Sequence, residues 1–355
     1  MSLDDATLYE RVDPHRARDV LAAFPEHCRA GAALRIEPSL PVRRTDLVVV
    51  AGMGGSAAGG DLLAACAAGH LDVPVLVHRG YGLPAAVGER TLVVASSYSG
   101  GTVEALSAAR TALARGAALV VVSSGGALGA LARRHGAPSV ALPSGLMPRM
   151  ALGYLFFAVV RVLEEAGLAV ASAGEVREAI DVAAVLSGEL QPAVPTAANE
   201  AKRLALALGD RIAAVYGGPL TGALAYRWKT DLEENAKRLA LAGTLPEMNH
   251  NEVEAWRLPI ARQLHAVLLR DAGELPQIAR RFALLGELVA PVAGGLSECW
   301  TRGRGVPARL LSVACLGQWV SYYLAVAHGV DPWPVPVLDE LKRRLGSVQL
   351  EEFPC

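Results

Sequence analysis

Two glycine- and serine-rich turns, each entered from a run of valines, constrain this chain more than any other feature. Asp46 to Ala51 (DLVVVA) leads into GMGGSAAGGD, Gly52 to Asp61, and Thr91 to Ala95 (TLVVA) leads into SSYSGGT, Ser96 to Thr102. A β-branched apolar run followed by Gly and Ser and then an Ala/Leu-rich pattern reads as a buried parallel strand, a loop and a helix. Such loops suit phosphate. Glycines such as Gly54 and Gly55 let backbone N–H groups approach an anion, the helix N-terminus adds its partial positive charge, and Ser56, Ser97, Ser99 and Thr102 bring hydroxyl donors. Neither turn is followed by the Gly-Lys-Ser/Thr of a nucleotide P-loop. GMGGSAAGGD also lacks the GxGxxG spacing of a dinucleotide fold, although Asp72 stands roughly 20 positions on. The pair favours a small phosphorylated ligand over a nucleotide.

Around these turns strands and helices alternate. Strand candidates are Leu47 to Ala51, Val73 to His78, Thr91 to Ala95, Ala118 to Ser123 and Ser139 to Leu142, separated by helical stretches near 56–68, 102–115 and 127–135. That is a βα alternation. After a helical connector and the proline-flanked stretch Gln191 to Pro195, DRIAAV followed by YGGPLTG, Asp210 to Gly222, faintly echoes the first turn and suggests a second copy of one α/β fold. A helix is expected over about 221–240, strands at Leu264 to Leu269 and Pro291 to Leu296, and a long helix at Ala308 to Ala327. The prolines of DPWPVPVLDELKRRLG, Asp331 to Gly346, start the tail extended, and a short helix follows.

Composition narrows the classes of partner. At 355 residues the chain has room for two ordinary domains. With 34 basic and 35 acidic residues and a net charge of -1, no global field recruits nucleic acid or an anionic membrane, so any anion site is local. The N-terminal stretch holds several arginines but no helix-turn-helix pattern. Cys28, Cys66, Cys299, Cys315 and Cys355 are odd in number, scattered and without a CxxC pair, which argues against a disulfide framework and a zinc site and suits a reducing cytoplasm. Met150 to Leu163 is the most apolar helix candidate. It is broken by Arg161 and too short to span a bilayer, and the acidic N-terminus does not read as a signal peptide. The expectation is a cytoplasmic protein with no membrane or nucleic-acid partner.

GMGGSAAGGD (Gly52 to Asp61), SYSGGT (Ser97 to Thr102), PRMALG (Pro148 to Gly153), EENAK (Glu233 to Lys237), NHNEVEAW (Asn249 to Trp256) and DPWPVPVLDELK (Asp331 to Lys342) occur in that order. With them the chain resembles the bifunctional phosphoglucose/phosphomannose isomerase family, built from two sugar-isomerase (SIS) domains. The resemblance implies an α/β fold of two SIS-type, flavodoxin-like αβα sandwiches with parallel sheets. The segments would be an N-terminal helical segment (1–45), a first SIS domain (46–170), a helical connector (171–200), a second SIS domain (201–328) and a C-terminal tail completing the active site (329–355). It implies a homodimer with a shared active site, and a role in glycolysis and gluconeogenesis. Gly101 and Val103 depart from the family, which has Asn and a polar residue there. No threonine follows Thr301, where relatives carry a tail threonine tied to mannose 6-phosphate, so the choice between glucose and mannose stays open.

Interconverting an aldose phosphate and a ketose phosphate requires opening the ring, removing a proton α to a carbonyl and returning it to the neighbouring carbon through an enediolate. That calls for a carboxylate base, a proton shuttle at the ring oxygen and a cation near the developing oxyanion, with no metal or other cofactor. The resemblance assigns Glu234 as the base, His250 with Lys342 to ring opening and Arg149 to the enediolate, with the two serine loops on the phosphate. Each has a plainer reading. Glu234 shares a helix flank with Arg227, Asp231 and Arg238 and could pair with Arg238, and periodicity alone does not separate it from Glu233. His250 could be a surface histidine in a loop, Lys342 part of a solvated helix face, and Arg149 a loop cap. Ser97, Ser99 and Thr102 could serve as helix N-caps, a role compatible with holding an anion. Two rival functions keep the same loops: a non-catalytic sugar-phosphate-binding regulator, for which the base is dispensable, and an SIS isomerase of another sugar phosphate.

Overall fold

The valine runs become the middle of a six-stranded sheet. In the computed structural model, which describes residues 2–41 and 43–345, the strands are β1 (Ile36–Glu37), β2 (Leu47–Ala51), β3 (Val75–His78), β4 (Thr91–Ser96), β5 (Ala118–Ser123) and β6 (Ser139–Ala141). Their order is β1-β6-β5-β4-β2-β3. β2 to β6 are parallel, in the flavodoxin-like order in which the first strand lies between the second and third. The sheet is not wholly parallel: β1 pairs antiparallel with β6, Ile36 opposite Val140. Helices cover both faces, so consecutive residues Val48, Val49 and Val50 are all buried, as are Val93 and Val94. Val49, Val93 and Val121 pack with Ala105, Ala108 and Ala109 of the helix Val103–Ala114.

The second sheet holds β7 (Ile212–Gly217), β8 (Ala240–Thr244), β9 (Leu264–Arg270) and β10 (Gly295–Trp300), all parallel, in the order β10-β9-β7-β8. This repeats the order β5-β4-β2-β3, so β7 is the counterpart of β2 and the faint echo in sequence is a repeated topology. The chain divides into two compact units around these sheets. The six-stranded unit takes Pro25–Val176 and the described tail from Val335, and the four-stranded unit takes the residues up to Phe24 and Arg177–Pro334.

Two expected elements are displaced. The helix expected over 221–240 ends at Asn235, because Lys237 stands at φ +54 and turns the chain into edge strand β8. The strand expected at Pro291 to Leu296 lies later, at β10. Ala293 instead closes the helix Pro276–Val289 by donating its N–H to the Val289 carbonyl. The apolar stretch expected at Met150 to Leu163 forms the helix Leu152–Glu165. Among the described residues Val306–Ala327 is long and apolar enough to cross a membrane, and 94% of its apolar window is buried inside the protein. That helix is the core of the four-stranded unit, where Trp228 donates to the Val313 carbonyl at 2.9 Å.

Candidate functional site

In a flavodoxin-like sheet the crossovers from the first and third strands diverge, leaving a crevice at the strand C-termini. Here those strands are β2 and β4, and the two glycine-serine turns follow them. Met53 precedes the helix Gly54–Ala67 without a side-chain cap, and Gly54 opens that helix at φ +50. A Cβ on Gly55 would lie 2.5 Å from the Pro148 carbonyl oxygen, so only glycine lets the helix start press against the turn Pro148–Met150. That turn carries Arg149, which is buried. Gly54, Gly55, Ser56 and Arg149 are thereby neighbours.

The second turn is built by its own hydroxyls. Buried Ser97 Oγ accepts from the N–H of Gly100 at 3.1 Å and of Thr102 at 3.4 Å, and lies 2.8 Å from Thr102 Oγ1. Thr102 occupies the N-cap position of Val103–Ala114, yet its side chain makes no cap bond. Ser99 is exposed, its Oγ accepting from Gly101 N–H at 3.3 Å. Ser56 Oγ accepts from the Tyr98 N–H at 3.0 Å, which joins the two turns while leaving the Ser56 proton available to a ligand.

A third turn of the same kind, SSGG at Ser123 to Gly126, follows β5, and the Ser124 N–H and hydroxyl both reach the Tyr98 carbonyl, at 2.9 and 2.6 Å. The expected site omitted this turn and Tyr98. The signal was present, since VVVSSGG (Val120 to Gly126) shows the same valine-to-Ser/Gly transition. Burial pushes the Tyr98 phenol up from its ordinary range.

The equivalent turn of the four-stranded unit is different chemically. In GGPLTG the Thr221 hydroxyl accepts from Gly218 N–H and donates to the Leu269 carbonyl, and Pro219 has no N–H to offer. At the end of β9 stands Asp271, bonded by Arg309 at 2.7 Å and Thr301 at 2.7 Å. The fold is duplicated; the hydroxylated glycine-serine turns are not.

What this unit holds is the carboxylate helix Gly222–Asn235. Arg227 and Asp231 form a buried ion pair at 2.8 Å, and Asn235 donates to Ser321 Oγ at 2.9 Å, fixing the helix on the core helix beside it. Glu233 and Glu234 are both half-buried, but both Glu233 oxygens accept from Lys229 Nζ at 2.8 Å, one turn back. Arg238 donates to Asp210 at 3.4 Å. Lys229 thus engages Glu233 on the flank of the helix. Lys237 Nζ donates to the carbonyls of Glu234 at 2.8 Å and Asn235 at 3.2 Å, closing the helix directly behind Glu234.

His250 ends the short turn Glu247–His250 and is exposed. The segment that carries it is anchored from below: Leu245, Met248, Trp256 and Ala261 are buried with Tyr216 and Phe282, and Trp256 Nε1 donates to Tyr216 Oη at 3.2 Å. Burial raises the Tyr216 phenol well beyond its ordinary range, so it stays a neutral partner. Lys342 lies on Pro336–Leu345, a helix with no buried residue, whose Val337, Leu338, Leu341 and Leu345 are also exposed. The residues of the two glycine-serine turns, Arg149 and Lys342 therefore belong to the six-stranded unit, Glu234 and His250 to the four-stranded one. Among the described residues no group of three or more His, Cys, Asp or Glu has the arrangement to hold a metal ion.

Residues 197–345 match the family model of the bacterial phospho-glucose isomerase C-terminal SIS domain. The bifunctional phosphoglucose/phosphomannose isomerase of Caldicellulosiruptor bescii is 36% identical over 331 residues, 92% of this chain and 98% of that protein. Its namesake from Thermoplasma acidophilum is 31% identical over 299 residues, 84% of this chain and 89% of that protein. Among solved structures, a glucose-6-phosphate isomerase like protein from Thermus thermophilus shares the fold with a TM-score of 0.63 at 24% identity, over 95% of this chain and 99% of that one. Identity sustained over nearly the whole length of both chains, through both sheets, is what membership requires: the chain belongs to the bifunctional phosphoglucose/phosphomannose isomerase family.

Proposed function

We propose that this chain is an aldose–ketose isomerase that interconverts glucose 6-phosphate, mannose 6-phosphate or both with fructose 6-phosphate through an enediolate, without metal. The observation that carries the reading is the pair of hydroxylated turns meeting at the switch point between β2 and β4, with Arg149 pressed against the first of them. In this reading the N–H groups of Gly54 and Gly55 and the hydroxyls of Ser56, Ser97, Ser99 and Thr102 hold the phosphate. His250 and Lys342 move the proton that opens the ring. Glu234 takes the proton α to the carbonyl and returns it to the neighbouring carbon, while Arg149 stabilises the enediolate oxygen. The proton leaves one carbon and arrives at the next, so no redox cofactor enters the balance.

A homodimer with a shared site, in the cytoplasm, completes the proposal. His250 is exposed on a segment that also exposes Leu258 and Ile260, an arrangement suited to meeting a second copy. Cys28, Cys66, Cys299 and Cys315 are buried thiols that form no disulfide among the described residues, which suits a reducing compartment. The test is a coupled isomerase assay across hexose and pentose phosphates in the presence of a chelator, with inorganic phosphate as competitor. Turnover of hexose 6-phosphates is expected. Tight binding without turnover would favour the regulator, and turnover confined to another sugar phosphate would move the substrate.

A further inference from the structure

Tyr98 is the residue on which the turns of the six-stranded unit converge. Its N–H reaches Ser56 of the first turn, its carbonyl takes both bonds from Ser124 of the third, and its side chain is buried, the residue being 4% exposed. Its phenol reaches a fourth segment. Tyr98 Oη donates to the Pro143 carbonyl at 2.7 Å and accepts from the Leu146 N–H at 3.1 Å. Between those two contacts lies Gly145 at φ +101, and the segment then runs into the turn Pro148–Met150 that carries Arg149. One hydroxyl thus pins both sides of the excursion 143–145 immediately ahead of Arg149. The burial that raises the phenol keeps it protonated as a donor to Pro143.

We propose that Tyr98 is a positioning residue: its hydroxyl sets the 143–149 segment so that Arg149 is held in register with the phosphate loops. The proposal rests on the reading of Arg149 as the group that stabilises the enediolate. Its consequence is a division of labour within one residue. The backbone of Tyr98 shapes the phosphate loops, and its side chain places the cation. Removing the hydroxyl leaves the backbone bonds to Ser56 and Ser124 in place, so binding of the phosphate is retained while the cation drifts.

Tyr98→Phe keeps the ring packing and deletes both side-chain bonds. In fructose 6-phosphate isomerisation kcat is expected to fall about ten- to a hundredfold, the loss typical of a catalytic group displaced by roughly 1 Å. KM and the inhibition constant of inorganic phosphate are expected to stay within about threefold. Gly145→Ala moves the same segment by another route, since its φ is unfavourable for alanine although a Cβ there meets nothing within 4 Å, and it should show the same selective loss of kcat. Because Tyr98 acts through Arg149, Tyr98→Phe added to Arg149→Ala should cost nothing further. Unchanged kcat in Tyr98→Phe beside a strong loss in Arg149→Ala, a fully multiplicative double variant, or a loss carried by KM would overturn the positioning role alone. Unchanged kcat in Arg149→Ala would overturn the assignment of Arg149 and the proposal with it.

Discussion

Lys237 Nζ donates to the carbonyl oxygen of Asp331 at 3.0 Å, joining the EENAK motif to the DPWPVP tail. The same ammonium holds the carbonyls of Glu234 and Asn235, while its own backbone sits at φ +54. Asp331 in turn accepts from Trp333 N–H at 2.9 Å and lies 2.9 Å from His15 Nδ1. A positive charge at the C-terminal end of a helix complements the negative end of its dipole, and three charge-assisted bonds offset the left-handed backbone.

Lys237→Ala should therefore lower stability by about 1–2 kcal/mol, since the bonds are lost and the left-handed cost remains. Lys237→Gly should lose less, because glycine removes that cost. Denaturant midpoints read both variants. Equal stability of the alanine variant and the wild type, or a glycine variant weaker than the alanine one, would contradict this role.

The neighbouring glycines of SYSGGT are not equivalent. At φ +69, a Cβ on Gly100 would lie 1.9 Å from the Gly125 carbonyl oxygen, whereas Gly101 would meet only Ser99 Oγ at 3.8 Å. Gly100→Ala should lower stability strongly, by about 2–4 kcal/mol from forced backbone movement and strain, while Gly101→Asn should be within about 0.5 kcal/mol of the wild type. Denaturant unfolding of the two variants checks this, and equal effects would show that the interlocked turns were misread.

Stability should fall as pH drops below neutrality. Burial, aided by the charge of Arg211, holds His265 below its ordinary 6.5, and burial does the same to His27. Below about pH 6.5 the unfolded chain takes up protons at these two histidines more readily than the folded chain does, so unfolding is favoured as pH falls. Melting temperatures at pH 7.5, 6.5 and 5.5 should decrease in that order, above the range where carboxylates titrate, and His265→Gln should flatten the decrease. A melting temperature constant or rising toward pH 5.5 would refute it.

A shared site would show in hybrids. Mixing inactive Glu234→Gln and inactive His250→Ala protomers should restore activity, because a reciprocal interface gives each hybrid one site with both defects and one with neither, about half the sites. No recovery after verified subunit exchange would place Glu234 and His250 in one chain's site.

The sequence shows most clearly the parts of the fold buried on both faces. β2 and β4 are unbroken apolar, valine-rich runs because helices cover the sheet on either side, and their turns carry the Gly and Ser that anion loops need. β8 was hidden because ALAGT is small and helix-like in composition, and it exists as a strand through its pairing with β7, Ala213 opposite Ala240. β1 is two residues long and has no periodicity to read. In EENAK the sequence leaves the two glutamates alike, and the pairing of Glu233 with Lys229 one turn back depends on side-chain geometry that periodicity does not carry. Tyr98 was invisible for another reason: its phenol bonds to residues 45 and 48 positions away, contacts that no local pattern encodes.

In the proposed reaction Glu234, and not its neighbour Glu233, moves the substrate proton. Steady-state isomerisation of fructose 6-phosphate by Glu234→Gln and Glu233→Gln, each beside the wild type, tests it most directly. Glutamine keeps the size of the side chain but cannot accept the carbon-bound proton, so kcat of Glu234→Gln should fall by a factor on the order of 10³ or more, with phosphate-sugar binding within several-fold. Glu233→Gln should stay close to the wild type. Similar losses in both variants, or an active Glu234→Gln, would contradict the assignment of the base.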